Sequence, residues 1–143
     1  MSDSYISAQL RRAVKERAGG ACEYCGVSED VTLAPHEPDH IIGEQHGGAT
    51  ELENLAYSCF RCNRFKGPNI ATVDLQTGAL VPLYHPRSDL WLDHFSLIPD
   101  SALIEPLTAI GRGTVSLLRF NDEQRIALRL ELIRQRRYET PQS

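Results

Sequence analysis

Cys22-Glu23-Tyr24-Cys25 and Cys59-Phe60-Arg61-Cys62 bracket the part of the chain that decides its fold. Between them run Pro38-Asp39-His40-Ile41-Ile42, His46-Gly47-Gly48 and Glu53-Asn54-Leu55, and directly after them comes Asn63-Arg64-Phe65-Lys66. Each Cys-x-x-Cys offers two thiolates from one tight turn, and two such knuckles remote in sequence complete the tetrahedron of a structural Zn²⁺ site. All four cysteines are then used. A redox Cys-x-x-Cys accounts for one knuckle and leaves the other idle. Disulfides need an oxidising compartment, and the polar N-terminus carries no signal-peptide core. Four sulfur ligands leave no open position, so the zinc is expected to be structural.

Taken in order, Cys-x-x-Cys, Asp-His-Ile-Ile, Gly-Gly, Asn-Leu and Cys-x-x-Cys-Asn-x-x-Lys resemble the HNH endonucleases, whose core is a ββα-metal unit. The resemblance sets the family's defining histidine at His40, its middle asparagine at Asn54 and its last position at Asn63. The acidic variant of its first metal ligand falls on Asp39. Asparagine at the last position is the form found in the HNH domains of RNA-guided nucleases. His85-Pro86-Arg87, Trp91 and His94-Phe95 also resemble a series that follows the core in small stand-alone prokaryotic HNH proteins.

What the resemblance implies is one α+β domain over residues 1–143. Its ββα-metal core at 20–68 is stapled by the four-cysteine zinc site, with an N-terminal helix before it and additional hairpins and C-terminal helices at 69–138. The implied activity is metal-dependent hydrolysis of DNA phosphodiesters, with RNA not excluded, by a one-metal mechanism. His40 is the implied general base, Asp39 and Asn63 the ligands of a catalytic ion, and Asn54 the clamp on the loop that positions His40.

The residue types suit those roles. Phosphodiester hydrolysis needs a base for water and a cation for the charge that builds on the phosphorane. Histidine titrates in the right range, and the oxygen donors of Asp39 and Asn63 suit Mg²⁺ or Mn²⁺. If Pro38–Ile42 is extended, Asp39 and His40 point to opposite faces, which separates metal from base. Lys66, one turn beyond Asn63, and Arg64, directly after it, are candidates for phosphate contact. Arg87 is another, through its bidentate fork, or else it pairs with Asp89 or Asp93. His36 either touches substrate or only orients the strand. Singly, each residue has a plainer reading: a surface Asp-His pair, a helix cap at Asn63, a solvated basic face. A zinc-stabilised module that binds nucleic acid or protein without turnover is the rival function.

Elsewhere, Ile6, Leu10, Val14 and Arg17 repeat at helical spacing, with Ser4 or Ser7 as cap and Gly19-Gly20 as stop. Strands are expected at Val31–His36 and Ile41-Ile42, a hairpin around Gln76-Thr77-Gly78 and another within 96–107. A helix follows Thr108, and a last helix follows Asn121-Asp122 with a basic outer face. Trp91 and Phe95 are expected in the core. The net charge of −4 argues against nonspecific coating of nucleic acid and for a restricted basic face. No apolar run spans a membrane, which predicts a soluble cytoplasmic protein, and the sequence specifies no oligomeric state.

Overall fold

The structure, a computed structural model, describes residues 5–141. Helix α1 (Ala8–Ala18) starts where the Ser7 hydroxyl accepts from the Leu10 amide and stops at left-handed Gly19. Ser4, the other candidate cap, lies outside the described residues. Val14 of α1 packs with Ile6 against Leu55 and Tyr57, forming a small core under the helix. The basic side of α1 is partly tied inward: Lys15 pairs with Glu29 at 2.8 Å, and Arg17 donates to the carbonyls of Leu52 and Leu55.

The first sheet differs from the expected one. Glu29–Val31 is a turn of 3₁₀ helix, and strand β1 is Glu37–His40, antiparallel to β2 (Leu55–Ser58). Asp39 lies opposite Ala56 and His40 opposite Leu55. All four residues of β2 are buried, so the core fixes that strand and β1 is whatever segment reaches it. With only two strands, each has an unpaired side, and Pro38 is tolerated there. Helix α2 (Phe60–Lys66) follows at once, capped by Cys59, whose Sγ accepts from the Cys62 amide. These three elements are the strand-strand-helix unit.

The second half folds over the zinc end of that unit. Hairpin β3 (Ala71–Val73) and β4 (Leu80–Pro82) is tied to α4 (Ala109–Leu117) by the Arg112 fork on Asp74, at 3.0 and 2.9 Å. A one-turn helix α3 (Trp91–His94), unforeseen from sequence, leads into hairpin β5 (Phe95–Ile98) and β6 (Leu103–Pro106). Helix α5 (Glu123–Arg134) closes the chain. Trp91, Phe95, Tyr84 and Phe120 share one buried cluster with Tyr24 and the cysteines. Trp91 donates Nε1–H to the Tyr24 carbonyl at 2.9 Å, so the second half is riveted to the first knuckle. Among the described residues no helix is long and apolar enough to cross a membrane.

Candidate active site

Two turns that each end in a cysteine bring the knuckles together. Cys22, Cys25, Cys59 and Cys62 are all buried, and their sulfurs lie within 4.8 Å of one another. The Cys25 and Cys59 sulfurs are 3.8 Å apart. A zinc–thiolate bond of about 2.3 Å gives a tetrahedral edge of about 3.8 Å, so the set fits Zn²⁺ as it stands. Among the described residues this is the one cluster of His, Cys, Asp and Glu able to hold a metal by three or more side chains.

Four thiolates around Zn²⁺ carry a net charge of about −2. Arg125 of α5 answers it from inside the protein: its Nη2 lies 2.9 Å from Cys62 Sγ and 3.9 Å from Cys59 Sγ. Burial opposes the Arg125 charge, but Cys62, Cys25 and Cys59 override it and hold the guanidinium pKa above its ordinary value. The expected basic outer face of this helix is therefore corrected at two positions. Arg125 and Arg129 are buried, and Arg129 instead binds the carbonyls of Ala102 and Phe120. The missed signal is the spacing 125, 129, 132, an inward stripe that ends in buried Leu132.

On the other side of the unit, β1 turns Asp39 and His40 to opposite faces. Asp39 faces inward, where Lys66 Nζ lies 3.1 Å from Oδ2 and the Tyr24 hydroxyl donates to the same oxygen at 3.3 Å. Burial holds the Asp39 pKa above its ordinary value, although Lys66 and Tyr24 pull against it. His40 is half-buried; its Nε2 lies 2.8 Å from the Thr50 hydroxyl, which donates to Glu44 Oε2 at 3.2 Å.

Asn54 holds the loop between them. Its Oδ1 accepts from the Ile42 amide at 3.0 Å, and its Nδ2 donates to the carbonyls of Ile42 and Ala49 at 2.9 and 2.8 Å. The loop turns through left-handed Gly47 and then passes so near the segment after β1 that a Cβ on Gly48 would lie 1.7 Å from the Ile42 carbonyl oxygen. The two nearest atoms are Ile42 backbone, which cannot swing aside as a flexible side chain could. Gly48→Ala should therefore cost about 3 kcal/mol, the upper end for overpacking, read as a lower denaturation midpoint with faster exchange of the Ile42 amide.

Residues 22–69 match the HNH endonuclease family, and no curated protein and no solved structure matches the chain. The segment is an HNH domain. It contains β1, β2, α2 and all four cysteines. This match supports nuclease-type activity in general and nucleic acid as the partner class.

Three expected nucleic-acid contacts are placed otherwise within or beside the HNH domain. Lys66 is 2% exposed and bonds the His40 carbonyl at 3.0 Å as well as Asp39, so it neutralises a buried carboxylate rather than a phosphate. His36 is buried against Tyr57 with its Nε2 2.8 Å from the Val27 carbonyl, which makes it a strut of the knuckle. Arg87 is neither free for phosphate nor paired with Asp89 or Asp93; its guanidinium is bonded to Glu23. Arg64 is exposed on α2.

Removing Lys66 would strand Asp39 in the interior. Lys66→Met should cost about 3–5 kcal/mol, the range for breaking a buried ion pair, measured by urea unfolding with zinc present. A loss within 0.5 kcal/mol of zero, the ordinary range for a surface site, would mean that the pair is not buried in solution.

Proposed function

We propose that residues 1–143 act as one metal-dependent endonuclease on DNA, with the core at 20–68 and the rest as its support. What supports the reading most directly is the division of labour on β1: a half-exposed imidazole anchored through Nε2, next to a carboxylate turned the opposite way toward α2. Asn63 and Lys66 lie three apart on α2 and so share a face, and Lys66 reaches Asp39. Both protein bonds to Asp39 fall on Oδ2. Asp39 and the Asn63 amide would be the residues that hold Mg²⁺ or Mn²⁺, since both offer hard oxygen donors. A divalent ion held there supplies positive charge for the scissile phosphate and the leaving oxygen.

The chain's own residues do the rest. His40 takes the proton from the attacking water on the far face of the phosphate, and attack in line with the 3′-oxygen leaves a 5′-phosphate and a 3′-hydroxyl. Asn54 keeps the loop closed so that His40 stays in register, and exposed Arg64 offers a fork to a neighbouring phosphate. Action in the cytoplasm is part of the same proposal. Supercoiled plasmid incubated with Mg²⁺, Mn²⁺ or EDTA tests it: nicking with an ion and none with EDTA is expected. Intact plasmid under every condition, with zinc-loaded protein, would leave a binding module.

A further inference from the structure

The imidazole of His40 is held by a directional chain. Glu44 Oε2, as carboxylate, has no proton to give and accepts from the Thr50 hydroxyl at 3.2 Å. A hydroxyl has one hydrogen, and with it spent on Glu44 the Thr50 oxygen can only accept from His40 Nε2, 2.8 Å away. Nε2 must then carry the proton, and in the neutral ring the lone pair belongs to Nδ1.

We infer that Thr50 and Glu44 are positioning residues for His40, which hold its neutral ring in one orientation with the proton on Nε2 and the lone pair on Nδ1. The inference deepens the reading of His40 as base, and it names the atom that accepts the proton. Without the chain, a ring of this kind exchanges between tautomers and rotates, so that only part of the population presents a bare Nδ1. Thr50 and Glu44 lie on either side of the loop that Asn54 clamps, so the clamp fixes the chain as well as the backbone. Neither residue stands out in the sequence, because a Thr and a Glu beside a Gly-Gly loop are ordinary solvent-facing choices.

¹⁵N spectroscopy of the imidazole of the zinc-loaded full chain tests this directly, since protonated and bare ring nitrogens resonate far apart. In the wild-type protein and in Thr50→Ser, Nε2 should appear protonated and Nδ1 bare, with no averaging. In Thr50→Val the two signals should move toward each other. Glu44→Gln should do the same by freeing the hydroxyl to point either way, and this half-buried position is a milder test if the valine variant folds poorly. Plasmid nicking should fall about 10–100-fold in kcat in Thr50→Val, as for other residues that orient a reactive histidine, with KM unchanged and recovery in Thr50→Ser. A wild-type ring protonated on Nδ1, or a Thr50→Val spectrum identical to wild type, would overturn the assignment. The spectra decide this whether or not DNA is cut, so a failed nuclease assay refutes the proposed activity and leaves the ring's anchoring to be judged separately.

Discussion

Stripping the metal from the four-cysteine site is expected to unfold the chain around 22–69, not merely loosen it. Binding at a structural zinc site of this kind is worth about 10–16 kcal/mol at neutral pH, which rivals or exceeds the whole stability of an ordinary domain. Here the dependence is sharpened by what surrounds the sulfurs. An ion bound there would close the span from Cys25 to Cys59, and no disulfide joins these cysteines. It would also hold together the thiolates on which the buried Arg125 guanidinium depends. Without them that buried cation keeps only the Leu118 and Arg119 carbonyls and the Phe120 ring as partners and loses its counter-charge, at a cost comparable to breaking a buried ion pair, about 3–5 kcal/mol. Cys62→Ser should therefore abolish the cooperative thermal transition and release zinc to a chromogenic chelator. Arg125→Met should retain zinc but melt earlier. A Cys62→Ser protein with native near-ultraviolet dichroism would show that the second half, not the metal, holds the knuckles in place.

The reason this end of the molecule was legible in the sequence is that a zinc tetrahedron depends on residue type and spacing alone. Asn54 is legible only through the family resemblance; its bonds to Ile42 and Ala49 follow from a side-chain amide matching backbone peptide groups. The hairpins around Gln76-Thr77-Gly78 and within 96–107 declared themselves through turn residues and short apolar runs. Strand β1 did not. Glu37-Pro38-Asp39-His40 has almost no strand propensity, and Val31–His36 has more, yet the buried strand β2 selected the former as partner. The burial of Lys66 and Arg125 is invisible in the sequence for one reason: a sequence shows a cation but not the buried anion that attracts it. Asp39 and the thiolates drew those two side chains inward, where composition alone would leave them in water.

Replacing His40 by alanine should lower the nicking rate by about 10²–10⁴, the usual worth of a positioned general base, with zinc content and melting temperature little changed. His40 is the right residue to test because it is the least entangled member of the site. Its ring is half-exposed and held by Thr50, so its loss leaves behind a hydroxyl that water can satisfy. Asp39→Ala would be harder to interpret, since it strands the Lys66 ammonium in the interior and removes stability and ion binding together. Asn54→Ala would release three backbone groups of the loop and displace His40 without touching its chemistry. A fall in rate in those two variants is thus expected on either a catalytic or a structural account, whereas in His40→Ala only the catalytic account predicts it. Equal nicking by wild type and His40→Ala, in preparations free of contaminating nuclease, would remove the base from the mechanism even if the metal requirement held.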